Sequence, residues 1–339
     1  MTTSNRVKII FIETENWEQE YLATKFAGHE LVFRSTPEIL PEDEDAEVLC
    51  TFLGCPIDEA VLGRMKNLKC VATRSTGFDH IDIKACATKN ISVSNVPAYG
   101  ENTVAEFTFA LLLALARKIY QSIKQVKDQA SFETKMLQGF DLKDKTLGVV
   151  GVGHIGIYVV KIARGFGMKV LAYDPHPKAE FASEYGFEYA ELNSLFANSD
   201  VITLHVPYMP ATHHLVNKEN IKIFKKGSVL INTARGGLVE TEALVWALKE
   251  GILAGAGLDV LEEEGFIKEE LHTMLSGHPN QDQLKIALSD HELMHMENVL
   301  ITPHNAFNSK EAVMRILDTT AQNIIGFINN QPVNLVKPH

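Results

Sequence analysis

TLGVVGVGHIGIYVVKIARGFGMKVLAYD, residues 146–174, is the stretch that decides the fold. Thr146–Val150 is a short uncharged apolar run, as expected of a strand covered on both faces. Gly151, Gly153 and Gly156 follow as G-x-G-x-x-G. The first glycine allows a tight turn, the second lets the backbone approach a pyrophosphate, and the third lets the next helix pack close to the strand. A helix from about Ile155 then points its N-terminal amides at that phosphate. Lys169–Tyr173 reads as a second strand ending in Asp174, an acid placed to accept both hydroxyls of an adenosine ribose. Glycine-rich turns are common, but this one follows a strand, opens a helix and has its acid roughly 20 residues further on.

Outward from this unit, further strands are predicted at Val201–Val206, Ser228–Asn232, Ala254–Asp259 and Val299–Thr302. Six strands with the glycine turn after the first match the dinucleotide-binding topology. Residues 7–100 repeat the α/β alternation, with strands at Val7–Ile12, Glu30–Arg34, Val48–Phe52, Cys70–Thr73 and Ile91–Val96, and helices such as Asn16–Phe26 and Asp58–Met65. Pro97 and Gly100 interrupt this pattern. Asn102–Arg117 is then a helix apolar on nearly every side, continued by an amphipathic helix to about Phe132. Ser309–Asn329 is a final amphipathic helix. Residues 265–297 are long, polar and acidic, and read as short helices joined by loops, a surface excursion. The fold class is therefore α/β with two doubly wound parallel sheets, the first flavodoxin-like and the second a Rossmann domain.

The length of 339 residues suits two domains, and a hydrophobic share of 45% with 22% charged residues is ordinary for a soluble globular protein. A net charge of −11 argues against nucleic acid or an anionic membrane as partner, so local cations must draw any anionic substrate. Cys50, Cys55, Cys70 and Cys86 form no C-x-x-C and read as reduced thiols of a cytoplasmic protein. The first residues do not read as a signal peptide, and the longest apolar run, 107–116, is too short to span a bilayer.

Ligands of open α/β sheets bind beyond the carboxyl ends of the strands. In the second half those ends carry the glycine turn, Asp174, His205-Val206-Pro207, Thr233-Ala234-Arg235, Asp259 to Glu264, and Pro303-His304-Asn305. Arg235, Glu264 and His304 thus converge on one edge. That trio suits hydride transfer to a 2-oxo acid. Arg235 presents a planar fork of donors to a carboxylate or keto oxygen. His304 can give a proton to the forming alkoxide, and Glu264 beside it would stabilise the imidazolium and fix the ring. In the first half, the turn after the Cys70–Thr73 strand, which includes Thr76 and Gly77, can aim amides at a carboxylate.

The chain resembles the NAD-dependent D-isomer-specific 2-hydroxyacid dehydrogenases over nearly its whole length. The matching segments are STGFDHID (75–82), NTVAE (102–106), GVGHIG (151–156), YD (173–174), HVP with Thr212 (205–212), NTARGGLVE (232–240), GLDVLEEE (257–264) and ITPHNAF (301–307). The resemblance implies Arg235, Glu264 and His304 as the catalytic residues, and Thr76, Gly77, Tyr99 and Arg235 as substrate-binding. It implies NAD contacts from Thr103, Gly151, Gly153, His154, Ile155, Gly156, Asp174, His205, Val206, Pro207, Thr212, Thr233, Ala234, Arg235, Asp259 and His304. It further implies a discontinuous substrate domain (1–100 and 303–339), an NAD-binding domain (101–302), a cleft between them, and a homodimer formed through the 102–132 helices. Pro97-Ala98-Tyr99 and Asn305-Ala306-Phe307 lean toward the D-lactate dehydrogenase-like branch. Gly265, where a proline commonly follows the glutamate, and the length of 265–297 depart from the pattern. Hydroxypyruvate, glyoxylate and longer 2-oxo acids therefore stay open as substrates.

Two other readings compete. His291-Glu292-Leu293-Met294-His295 is H-E-x-x-H, which on a helix can bind zinc with the glutamate as base; the bland reading, a short helix leading into the strand at 299, is preferred and no metal is expected. A non-catalytic NAD(H)-sensing protein of the same fold is disfavoured by the intact Arg235, Glu264 and His304.

Overall fold

The computed structural model describes residues 6–262 and 281–337 and divides into two compact units, Met1–Tyr99 with Ser309–His339 and Gly100–Asn308. The smaller unit holds five parallel strands: β1 (Lys8–Phe11), β2 (Glu30–Phe33), β3 (Val48–Thr51), β4 (Cys70–Thr73) and β5 (Ser92–Ser94), in the order β2-β1-β3-β4-β5. The order reverses between β1 and β3, as in flavodoxin-like sheets. Every residue of β3 and β4 is buried, which is why these strands read as unbroken apolar runs. Helices α1 (Asn16–Lys25), α2 (Glu59–Arg64) and α3 (Ile83–Thr88) connect them. Asp58 and Asp82 cap α2 and α3 by accepting from the amides of Val61 and Ala85. The helix Lys310–Ile328, capped by Ser309, belongs to this unit. It buries Ala312, Val313, Ile316, Leu317, Thr320, Ala321 and Ile324 as one stripe, and its Asp318 accepts from the Tyr21 hydroxyl at 2.6 Å. Beyond it, Leu335 pairs antiparallel with Ser94 on the edge strand β5. All four cysteines are buried free thiols.

The larger unit holds a seven-stranded parallel sheet in the order β12-β11-β10-β9-β6-β7-β8. Its strands are β6 (Thr146–Val150), β7 (Lys169–Tyr173), β8 (Glu188–Tyr189), β9 (Val201–Leu204), β10 (Ser228–Asn232), β11 (Leu253–Leu258) and β12 (Val299–Ile301). The sequence leads one to expect six; β8 escapes because two residues carry no readable alternation. Helix α4 (Glu101–Ala116) buries Val104, Ala105, Thr108, Phe109, Leu111 and Leu112. It does not run on in the way expected. The carbonyl of Ala116 accepts from the amide of Phe140 at 2.9 Å, Lys118 turns left-handed at φ 50°, and α5 (Ile119–Gln129) starts afresh and stops at Ala130. The described part of the 265–297 excursion is also different: Gln281–His295 is a single helix rather than several short ones. No helix among the described residues is long and apolar enough to cross a membrane.

The second passage between units falls at Asn308/Ser309, later than the 302/303 expected. The turn 304–306 is pinned to β11 by hydrogen bonds from the His304 amide to the Asp259 carbonyl (2.8 Å) and from the Asn305 and Ala306 amides to the Asp259 carboxylate (both 2.8 Å).

The glycine turn sets the spacing of sheet and helix. Gly151 takes φ 96°, and its amide donates to the Tyr173 carbonyl at 2.8 Å, tying the start of the turn to the end of β7. A Cβ at Gly156, in α6 (His154–Gly165), would stand 2.1 Å from the Gly151 carbonyl oxygen, whereas one at Gly165 of the same helix meets nothing within 4 Å. Gly156→Ala should therefore cost about 3 kcal/mol or more by overpacking against immovable backbone. Gly165→Ala should stabilise by about 0.5 kcal/mol through helix propensity. Urea unfolding of both variants checks this, and equal midpoints would refute the close approach of α6 to β6.

Candidate active site

Because every strand of the larger sheet runs the same way, all its carboxyl ends lie on one edge. The order turns back at β6, which pairs with both β7 and β9, so the switch-point crevice opens beside the glycine turn. His154 and Ile155 form the first residues of α6, and a Cβ at Gly153 would meet nothing within 4 Å, leaving room for a pyrophosphate over the helix N-terminus. The Asp174 carboxylate accepts from the amides of Val152 and His176, both at 2.9 Å. It thereby braces the glycine turn, and each oxygen retains lone-pair capacity for a ribose hydroxyl.

After β9, His205 donates its backbone amide to Val150 at 2.7 Å, and its Nε2 lies 2.9 Å from the Thr203 hydroxyl. Burial pushes the imidazole down to about 3, so the ring is neutral at ordinary pH. Val206 is buried and Pro207 exposed. Thr212 closes the following loop: its hydroxyl donates to the Pro207 carbonyl at 2.7 Å and accepts from the Met209 amide at 2.9 Å. After β10, Thr233 is buried with its hydroxyl 2.9 Å from that of Thr108 in α4, and Thr103 is buried in the first turn of the same helix. Nothing in the sequence marks Asn232 as a site residue. Its amide donates to the Arg235 carbonyl at 2.8 Å and its Oδ1 accepts from the Ala234 amide at 3.1 Å, so it shapes the turn that carries Arg235. The Arg235 guanidinium donates from Nη1 to the Ala234 carbonyl at 2.8 Å, and the residue is half-buried.

Asp259, at the end of β11, is buried. Its carboxylate accepts from the Thr302 hydroxyl and from the Asn305 and Ala306 amides, which holds the turn where His304 takes φ 53°. Burial raises the Asp259 carboxyl above its ordinary value, opposed by those hydrogen bonds. Its oxygens thus hold the turn that places His304.

Glu264 and Glu263 lie outside the described residues. Glu262 is engaged elsewhere: its carboxylate pairs with His214 Nε2 and accepts from the Thr241 amide (3.0 Å) and hydroxyl (2.8 Å). This clamp joins two loops to the first turn of the helix Thr241–Lys249 and has no signal in the sequence, where Glu262 is one of three adjacent glutamates. The backbone here is tight, since a Cβ at Gly236 would sit 1.8 Å from the Leu261 carbonyl oxygen.

In the smaller unit, the turn after β4 presents Thr76 and Gly77. The Ser75 carbonyl accepts from the Val96 amide (3.0 Å), the Thr76 carbonyl from Asn95 Nδ2 (2.8 Å) and the Gly77 carbonyl from the Ser75 hydroxyl (2.6 Å). The Thr76 hydroxyl donates to the Val96 carbonyl at 2.8 Å. Among the described residues none accepts from the amides of Thr76, Gly77 or Phe78. Consecutive free amides form an anion-binding concavity. Tyr99 is half-buried, and its carbonyl accepts from Arg315 Nε.

His291 and His295 occupy the last turns of the Gln281–His295 helix. His295 Nδ1 bonds the His291 carbonyl at 2.7 Å, and Glu292 pairs with Lys249 at 2.5 Å. His295 and Glu292 are thus engaged along and beside the helix.

The topology and strand-end furnishing define a dinucleotide-binding α/β oxidoreductase. Residues 109–306 match the family model described as D-isomer specific 2-hydroxyacid dehydrogenase, NAD binding domain. The chain is 36% identical over 302 residues to a glyoxylate reductase of Korarchaeum cryptofilum, covering 88% of this chain and 85% of that protein. It is 34% identical over 327 residues to a D-lactate dehydrogenase of Escherichia coli, covering 94% and 96%. A solved D-lactate dehydrogenase of Aquifex aeolicus, complexed with NAD and lactic acid, superposes with a TM-score of 0.86 at 34% identity, covering 98% of this chain and all of that one. The protein belongs to the D-isomer-specific 2-hydroxyacid dehydrogenase family: it is an NAD-dependent oxidoreductase moving hydride between a 2-hydroxy acid and its 2-oxo acid.

The neutral His205 has a measurable consequence. An imidazole near 6.5 when unfolded and about 3 when folded lets the unfolded chain bind more protons between those values, so stability falls as pH drops below 6.5. One pH unit inside that window corresponds to about 1.4 kcal/mol. His205→Gln should flatten this share of the decline between pH 6.5 and 4.5, measured by urea unfolding at each pH. A difference between variant and wild type that does not vary with pH would show that His205 is not held neutral.

Proposed function

We propose that the protein reduces pyruvate to D-lactate, or the reverse, with NAD(H), with Arg235 and His304 as catalytic residues and Glu264 as the partner of His304. The likeness to the Aquifex aeolicus enzyme across the whole chain carries the choice of lactate. Pro97-Ala98-Tyr99 and Asn305-Ala306-Phe307 support it. Arg235 grips the substrate and polarises its keto oxygen, and His304 delivers the proton as hydride reaches C2. The amides of Thr76 and Gly77 take the carboxylate, and Tyr99 lines the substrate side. The smaller unit, Met1–Tyr99 with Ser309–His339, takes the substrate, and the larger, Gly100–Asn308, takes NAD. The engagement of Glu262 by His214 and Thr241 favours Glu264 among the neighbouring glutamates. A glyoxylate-reducing enzyme is the second reading, favoured by the Korarchaeum cryptofilum relative.

Steady-state NADH oxidation should give pyruvate a kcat/KM at least about tenfold above glyoxylate and hydroxypyruvate, a difference of about 1.4 kcal/mol. Arg235→Lys, which keeps charge but loses the fork, and His304→Gln should each lower kcat/KM by about a hundredfold or more. A preference for glyoxylate would replace the lactate reading, and near-normal rates in both variants would remove the catalytic assignment.

A cytoplasmic homodimer completes the proposal. Helix α5 buries none of its residues and leaves Ile119, Tyr120, Ile123 and Val126 exposed on one side, with Phe132 and Met136 exposed further on. Such a stripe suits a second copy of the chain. Light scattering should give twice 37.7 kDa for wild type and the monomer mass for Ile123→Asp; a monomeric wild type would refute it.

A further inference from the structure

Three asparagines bind the C-terminal segment to the turn of Thr76 and Gly77. Asn95, just beyond β5, donates from Nδ2 to the Thr76 carbonyl at 2.8 Å. The carbonyl of Asn95 accepts from Nδ2 of Asn323 at 2.8 Å, and Asn323 is buried in the Lys310–Ile328 helix. Oδ1 of Asn323 in turn accepts from Nδ2 of Asn334 at 2.8 Å. Asn334 also gives its carbonyl to the Asn95 amide at 3.2 Å, and Val336 donates to Val93 at 2.9 Å. Asn95 is therefore fixed from both its amide and its carbonyl by residues more than 200 positions away in sequence.

The polarity of this chain is directional. Each asparagine that donates toward the turn is held by the next group along, ending at Asn334, which sits at φ 52°. At the turn, the Thr76 carbonyl accepts, so the peptide that follows it is oriented with the Gly77 amide pointing the opposite way. That amide is one of those with no acceptor among the described residues. A charged residue at position 95 would disturb an anion at the turn, and an apolar one would leave the carbonyl unheld, so a neutral amide meets both demands.

We infer that Asn95 is a positioning residue for the carboxylate-binding turn, and that the Asn323–Asn334 link makes the C-terminal segment a determinant of 2-oxo acid affinity. The inference rests on the reading that the Thr76 and Gly77 amides take the substrate carboxylate. Asn95 acts through the peptide between Thr76 and Gly77, whose carbonyl it holds.

The test compares pyruvate with methyl pyruvate as substrates for wild type, Asn95→Asp and Asn334→Gly. Asn95→Asp keeps the shape but removes the donor and adds a negative charge. Asn334→Gly deletes the side-chain amide while glycine retains the left-handed backbone, so this variant decides the matter if Asn95→Asp does not fold. Wild type should favour the acid over the ester. Asn95→Asp should raise the KM for pyruvate about tenfold and Asn334→Gly about threefold. In both, kcat at saturation, the KM for NADH and the kinetics of the ester should stay within about twofold. If wild type favours the acid but neither variant that folds changes the KM for pyruvate, the asparagine link is refuted and the turn reading survives. If wild type uses ester and acid equally well, the turn reading fails and takes this inference with it. Parallel losses in kcat, both KM values and melting temperature for Asn334→Gly would mean a merely structural role, and would also overturn the inference.

Discussion

A buried carboxylate at the end of one strand holds the functional edge of the larger unit together. Asp259 accepts from one hydroxyl and two amides, while its own backbone bonds the Asn232 carbonyl on one side and the His304 amide on the other. Removing an ionised carboxylate from water costs several kcal/mol. Hydrogen bonds to a charged acceptor return about 1.5–3 kcal/mol each, so the site is tolerable only with all its donors in place. The result is a rigid turn. His304 sits at φ 53°, a conformation a non-glycine residue adopts at a cost, and the Asp259 network is what sustains it. The same residue reaches Asn232, which shapes the Arg235 turn through its side chain. Two candidate catalytic residues on different strand ends are thus placed from one buried anion.

Much of the fold was legible because its signals are local. Strands such as Val48–Thr51 and Thr146–Val150 are buried along nearly their whole length, so apolar composition alone marks them. The glycine turn carries its own geometry in three positions. What was illegible depends on distant partners. The helix after Asn102 breaks because the Phe140 amide takes the Ala116 carbonyl, and nothing between 102 and 120 announces that bond. Strand β8 gains its identity from pairing with Leu171 and Ala172, not from its own two residues. The boundary between units shifts to Asn308 because Asp259 captures the amides of Asn305 and Ala306.

The candidate site divides in the same way. Residue types at strand ends could be read directly, since a parallel sheet puts all its carboxyl ends together. The supports could not. Glu262, Thr241 and His214 interlock two loops and a helix start across 48 residues of sequence, and only their contacts separate Glu262 from its neighbours. Asn95 and Asn323 lie 228 residues apart, with no motif around either. Asp259 reads from the sequence as a cofactor contact, and nothing around it announces that its carboxylate accepts from the amides of Asn305 and Ala306. Residues that carry chemistry have distinctive types, whereas residues that orient them are ordinary polar side chains whose role is set by what they touch.

Charge placement is the remaining constraint. With a net charge of −11, the protein repels anions at long range, so an anionic substrate must be recognised at contact. The smaller unit does hold a cation beside its turn, since Arg74 immediately precedes Ser75. Its guanidinium is buried, however, and directed to Glu18 and to the carbonyls of Ile12 and Glu13. That positive charge is compensated inside the protein, and Arg74 serves to fix the end of β4 against β1 and α1. The turn is left with amide dipoles held by neutral groups, Asn95 among them. Dipoles fixed at short range act through geometry and lose little to salt screening, unlike exposed cations. On the proposed reading, the carboxylate is selected by the shape of a neutral turn.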